Sequence, residues 1–169
     1  MGWFKRVPIV VLLSALAVSM APAGVLAAGN PGPTPIPPPP TVQGNFCGDI
    51  GPITISADVD SWNATMKVFT SRSGTVVLLF TGHQSTIVEG NGKTLTFDSS
   101  GPGRITIYPD GTVTVVGTGH LFYIGPPGTP QAGIFLYSGV TVIDISDPTN
   151  ATVSSYNSNK LDVCALLAA

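Results

Sequence analysis

The sequence predicts an all-β protein, a single antiparallel β-barrel or β-sandwich spanning residues 44–166, and three observations carry that prediction. Short runs alternate apolar and polar residues with a period of two, as half-buried strands do. Clusters of Gly, Pro, Asn and Asp break these runs at close intervals, as turns between strands do. No stretch shows a helical period flanked by caps, so nearly all regular structure should be antiparallel strand, about eight to ten short strands in all. No internal repeat is visible.

The chain of 169 residues begins with a segment that does not belong to this domain. Met1 to Arg6 carries two positive charges, Lys5 and Arg6, and Val7 to Met20 is apolar. Small residues follow in Ala21-Pro22-Ala23 and Val25-Leu26-Ala27. Charge, apolar stretch and small-residue site together make a secretory signal peptide, residues 1–27, with Ala23 as the second-choice cleavage site. An uncleaved anchor is the competing reading, because Val7 to Ala28 is uncharged and long enough for the roughly 20 residues of a bilayer crossing. Pro22 and Gly24 interrupt that stretch where a cleavage region would lie, which favours cleavage and leaves no stable membrane span in the mature protein. The protein is therefore expected to be secreted, extracellular or associated with the cell surface.

Residues 28–43 form the next segment, with Gly29 to Thr41 reading GNPGPTPIPPPPT. Proline lacks the backbone donor a sheet or helix needs, so this stretch is expected to be a disordered, semi-rigid polyproline spacer that pairs with nothing. A proline-motif ligand is the less favoured alternative.

Within the domain, Ile53, Ile55 and Ala57 lie on one face of a strand with Thr54 and Ser56 on the other, and Leu95 and Phe97 oppose Thr94 and Thr96. Arg104–Tyr108 and Thr112–Val115 flank Pro109-Asp110-Gly111, in which Pro presets φ and Gly takes the left-handed position. Glu89-Gly90-Asn91-Gly92-Lys93 is a second hairpin of the same kind. Val76–Phe80, Leu121–Ile124 and Ile134–Tyr137 do not alternate, so both faces of these strands should be covered. They mark a central position in a sandwich or barrel, a lined cavity or a subunit interface. Residues 167–169 read as a C-terminal tail.

Charged residues make up only 9% of the chain and the formal net charge is −2. Loss of Lys5 and Arg6 with the leader makes the mature chain more acidic still. With no basic patch, the electrostatic attraction that dominates nucleic-acid binding is missing, and no nucleic-acid partner is expected.

The two cysteines, Cys47 and Cys164, open and close the domain. In an exported protein they should be oxidised to each other. A bridge needs Cα atoms within about 7 Å, which implies that the first and last strands lie side by side and slightly favours a closed barrel, where end strands meet and edges vanish. Free or metal-binding thiols lack supporting His or Cys neighbours.

The leader, Cys47-Gly48, the Tyr108-Pro109-Asp110-Gly111-Thr112 hairpin and the closing Leu161-Asp162-Val163-Cys164-Ala165-Leu166 together resemble small secreted proteins of unknown function from high-GC Gram-positive, actinobacterial species. The resemblance spans the whole chain. It supports export and the disulfide and implies no activity.

The residues themselves point to no catalytic, metal or cofactor site. His83 and His120 each follow a glycine, in Thr81-Gly82-His83 and Thr118-Gly119-His120, with no ligand or base partner at a diagnostic spacing, and a hydrogen-bonded or exposed place at a strand end is favoured for both. No serine lies in a Gly-x-Ser-x-Gly elbow. Asp58-Val59-Asp60-Ser61-Trp62-Asn63 and Asp144-Ile145-Ser146-Asp147-Pro148-Thr149-Asn150 are rich in oxygen, which calcium uses, but they match turn preferences better. The same aspartates would serve a glycosidase only if two met within about 5 to 10 Å. Trp62, Tyr108, Phe122, Tyr123, Phe135 and Tyr137 could stack on a sugar but are more simply core. Asn63-Ala64-Thr65 and Asn150-Ala151-Thr152 match the glycosylation acceptor pattern. The expected function is that of a noncatalytic exported module that binds a cell-wall component, a protein or a glycan, or serves structurally. The alternatives are a carrier of a small apolar ligand held within the sheet and, less favoured, a hydrolase or other enzyme.

Overall fold

The computed structural model describes residues 32–147 and 151–169, apart from the side chains of residues 157 and 158. The signal-peptide reading lies outside the described residues. Among the described residues eleven strands run in chain order: β1 Thr34–Ile36, β2 Val42–Gly44, β3 Ile53–Ala57, β4 Asn63–Thr70, β5 Val76–His83, β6 Ser85–Gly90, β7 Lys93–Asp98, β8 Gly103–Ile107, β9 Val113–Gly125, β10 Gly133–Asp144 and β11 Thr152–Asp162. Among the described residues, a 3-10 turn, Gly48–Ile50, and a short helix α1, Val163–Ala168, complete the regular structure. The strands form a seven-stranded sheet in the order β1-β4-β5-β8-β9-β10-β11 and a four-stranded sheet in the order β2-β3-β6-β7.

All pairings are antiparallel. The architecture is a sandwich of two open sheets, and the leaning toward a closed barrel is corrected. The large sheet ends on β1 and β11 and the small one on β2 and β7, so the sheets keep their edges. Nor are all the strands short, because β9, β10 and β11 run to 13, 12 and 11 residues.

Both expected hairpins form, through the turn chemistry that predicted them. Asn91 and Gly92 both take positive φ, 50° and 72°, the requirement of the two-residue turn whose twist matches the flanking strands. At the second turn the Gly111 N–H donates to the Tyr108 carbonyl at 3.0 Å and the Tyr108 N–H to the Thr112 carbonyl at 2.9 Å. Gly111 sits at φ 86°, as a three-residue loop with a bulge demands. The Asp110 carboxylate accepts from the Thr112 N–H and hydroxyl, and these two bonds hold it below its ordinary pKa.

The proline-rich segment departs from expectation. Thr34, Pro35 and Ile36 pair with Met66, Thr65 and Ala64 at the edge of the large sheet, where a proline that cannot donate leaves no neighbour unsatisfied. Val42–Gly44 then pairs with β3 in the small sheet. Residues 37–41 therefore cross from one sheet to the other as a strap.

The core divides into two clusters. Ile53, Ile55, Val88, Ile124, Ile134, Val163 and Leu167 join the small sheet, the end of the β9–β10 hairpin and α1. Val115, Tyr123, Phe135, Tyr137 and Ile143 form the second cluster within the large sheet. Ile124 and Ile134 are cross-strand partners, as are Tyr123 and Phe135. Successive residues point to opposite faces, so one face of this hairpin serves each cluster. That accounts for the non-alternating Leu121–Ile124 and Ile134–Tyr137. The third such run is covered less completely, since Leu79 in β5 is 41% exposed.

Cys47 and Cys164 are bonded, with Cα atoms 5.3 Å apart. The adjacency inferred from the bridge is corrected, because β11 pairs with β10 alone and β1 and β2 pair with β4 and β3. A disulfide constrains two Cα atoms and leaves the strands on either side free. Here it ties the segment just before the 3-10 turn to α1.

That helix was not anticipated, since six residues are too few to show a period. Its signal was Asp162, whose carboxylate accepts from the Ala165 N–H at 3.0 Å as an N-cap. The expected tail at 167–169 is likewise corrected. Leu167 is fully buried, and its carbonyl accepts from the Asn91 side chain at 2.8 Å, while the Leu166 carbonyl accepts from Lys93 Nζ at 3.0 Å. The Asn91-Gly92 turn thus grips the end of the chain.

Candidate functional site

β8 ends its pairing with β9 at Gly103 opposite Gly117. The chain just before β8 continues the ladder only briefly, with the Thr118 N–H donating to the Pro102 carbonyl and the His120 N–H to the Ser100 carbonyl, both at 2.9 Å. Gly101 and Gly119 permit this approach. A Cβ on Gly101 would lie 2.6 Å from the Thr118 carbonyl oxygen, and one on Gly119 would lie 3.0 Å from the Gly101 Cα. Beyond His120 this edge of β9 has no strand beside it among the described residues, and a cavity of about 180 Å³ opens between the sheets. The free edge explains why the consecutive residues Leu121, Phe122, Tyr123 and Ile124 all border it.

The rest of the wall is mainly apolar. Ile55 and Ala57 come from β3, Phe80 from β5, Ile105 from β8, Val115 from β9 and Ile143 from β10. Pro39 and Pro40 of the strap and Trp62 also line the cavity. The Trp62 indole N–H donates to the Ile36 carbonyl at 2.7 Å, which fastens the strap at the end of β1. Burial pushes the Tyr123 hydroxyl above its ordinary pKa, so it remains a neutral phenol.

Gln84, Thr86, Ser99, Thr118 and His120 add polar groups to the lining. The Thr86 and Ser99 hydroxyls lie 2.9 Å apart, and Ser99 donates to the Gln84 carbonyl at 3.2 Å. His120 Nδ1 lies 3.2 Å from Asp98 Oδ2, with the two side chains 41% and 52% exposed. The Ser100 hydroxyl and N–H beside Asp98, with a smaller contribution from His120, hold the Asp98 carboxyl below its ordinary pKa. It is therefore an anion and an acceptor at neutral pH.

Of the two histidines singled out from the sequence, His120 lines the cavity and His83 does not, and neither bonds the other. His83 Nδ1 lies 3.0 Å from Ser100 Oγ, while His120 pairs with Asp98. The serine and the carboxylate serve different imidazoles, so no Ser-His-Asp relay forms. Asp98, Gln84 and Ser99 escaped the sequence reading because they join the site only through tertiary pairing. A usable signal was the repeated Thr-Gly-His, whose glycines Gly82 and Gly119 take φ of 134° and 120° and break strand regularity immediately before each histidine.

The aspartates of the two aspartate-rich segments do not line the cavity, although Trp62 of the first segment does. Asp58 Oδ1 accepts from the Asp60 N–H at 3.3 Å. Asp144 accepts from the Ser146 N–H and hydroxyl, which holds its carboxyl below the ordinary value. Residues 148–150 of the second segment, with the Asn150 acceptor site, lie outside the described residues. Among the described residues, no three His, Cys, Asp or Glu side chains gather as a metal site.

Of the aromatic candidates, Tyr123, Phe135 and Tyr137 are buried, Phe122 and Trp62 border the cavity, and Tyr108 is 42% exposed on its turn. Lys160, opposite Tyr137 on β11, places Nζ 3.7 Å from the Phe135 ring centroid. That cation–π contact closes the second cluster on the β11 side, and the sequence gives no sign of it.

Among the described residues, no helix is long and apolar enough to cross a membrane. No protein-family model matches the chain, and comparison with curated proteins and with solved structures returns no match either.

Proposed function

We propose that this chain is an exported, noncatalytic β-module that holds one small, largely apolar molecule between its two sheets. The observation that carries the reading is the inter-sheet cavity of about 180 Å³, lined mainly by apolar residues with a few polar groups among them. Apolar walls with a few convergent polar groups are the usual make-up of a small-ligand site. An apolar cavity of roughly 150 Å³ accepts a benzene ring, so this volume suits one ring with a small substituent and is too small for a long acyl chain. Export rests on the leader at residues 1–27, and the Cys47–Cys164 disulfide is consistent with it.

NMR of the secreted protein titrated with toluene tests the reading. Resonances of Ala57, Leu121 and Ile143 should shift on binding, and Ala57→Leu, which fills the space, should abolish the shifts. Unmoved resonances at saturating toluene would remove the proposal.

A catalytic reading draws on one observation, the Asp98–His120 pair at the mouth of a cavity that also holds Tyr123. It requires hydrolysis of a small aryl ester that His120→Ala abolishes. Equal rates for parent and variant would exclude it.

A further inference from the structure

Resting on that reading, we propose that the ligand is a small ring compound bearing a neutral hydroxyl, of the phenol or cyclohexanol class. Its ring fills the space among Phe80, Leu121 and Tyr123, and its hydroxyl donates to Nε2 of His120 at the mouth. The argument begins at Asp98. A carboxylate 3.2 Å from His120 Nδ1 accepts a hydrogen bond and cannot donate one, so the imidazole proton sits on Nδ1. In the neutral ring Nε2 is then left as the acceptor.

Asp98 fixes this tautomer because the Ser100 N–H, donating to Asp98 Oδ1 at 2.9 Å, keeps the carboxylate in place. His120 borders the cavity and remains 41% exposed. The acceptor is thus open to a ligand whose apolar part lies inside. Gln84 also lines the cavity, and its side chain makes no hydrogen bond among the described residues, which leaves its amide as a donor for the ligand's oxygen.

The same geometry disfavours a carboxylate ligand, whose charge would stand next to Asp98 with no Lys or Arg among the lining residues. An unsubstituted hydrocarbon would enter the cavity and leave Nε2 and the Gln84 amide unused.

The test compares phenol, toluene and benzoate binding to the secreted protein by NMR titration. One hydrogen bond corresponds to a factor of roughly three to ten in affinity. Phenol should therefore bind that much more tightly than toluene, and benzoate should bind more weakly than either. The phenol-to-toluene ratio should fall toward unity in His120→Leu. It should also fall in Asp98→Asn, which leaves His120 in place but no longer dictates its tautomer.

Equal phenol and toluene affinities in the parent, or benzoate as the tightest ligand, would overturn this inference and leave the cavity reading standing. A ratio unchanged in both variants would do the same. Binding of none of the three would overturn the cavity reading itself.

Discussion

Replacing both Cys47 and Cys164 with serine should remove a large part of the stability of this protein. The bridge spans a sequence separation of 117 residues, which encloses every strand from β3 to β11. On the chain-entropy relation, closing a loop of that length removes about 16 cal/mol/K from the unfolded chain, or about 5 kcal/mol at 25 °C. For a domain of this size 1 kcal/mol corresponds to about 4 °C in melting temperature, so the double variant should melt about 20 °C below the parent. The structure adds a local expectation. The bridge anchors α1, and its loss should raise amide exchange first at Val163–Ala168. Differential scanning calorimetry of parent, double variant and reduced parent measures the effect, and the last two should agree. The intact exported protein should weigh two hydrogens less than its reduced form and offer no thiol to labelling reagents. A double variant melting within about 3 °C of the parent would refute the reasoning, because the unfolded chain would then gain no freedom when the bridge is cut.

Other consequences follow from single residues. The Thr141 hydroxyl is fully buried with no hydrogen-bond partner among the described residues. Thr141→Val should therefore raise stability by about 1 kcal/mol in urea titration, and a loss of similar size would mean that the hydroxyl is satisfied. Leu167, wholly buried in the first core cluster, should cost about 3 kcal/mol when cut to alanine; a change below about 0.5 kcal/mol would return residues 167–169 to the status of a tail. Asp98, Asp110 and Asp144 all have carboxyls held below their ordinary value in the folded protein. Their contribution is present above the unfolded value near 3.9 and is lost as pH falls through the folded one, so stability should decline below about pH 4. Asp98→Asn should make that decline shallower, and a parent equally stable at pH 5 and pH 3 would contradict the sign.

Much of the fold was legible because it is written in local rules. Ile53 and Ile55 are buried and Thr94 and Thr96 exposed, as two-residue alternation requires, and Asn91-Gly92 and Pro109-Asp110-Gly111 turn the chain where their backbone preferences allow. What misled was reasoning from one local rule to a distant partner. Proline argued against pairing for Thr34–Ile36, yet an edge position makes the missing donor harmless. The disulfide argued for adjacent end strands, yet a connection between two Cα atoms leaves strand order open. The candidate site was the least legible part. His83 was legible as a histidine at a strand end, whereas His120, expected at a strand end, lies within β9; Asp98, Gln84 and Ser99 carry no motif, and the cavity opens where β8 ends before β9 does.

The sequence by itself determined the class of the fold, two of its hairpins and its single disulfide, because turn chemistry, side-chain alternation and a lone pair of cysteines act over a few residues or admit one pairing. Only the tertiary structure decided that the sheets stay open, that the proline strap crosses between them and that His120 meets Asp98 at the mouth of a cavity. Each of these depends on which strand lies beside which. That choice is settled by the summed burial and edge hydrogen bonding of the whole domain, which no short stretch of the chain encodes.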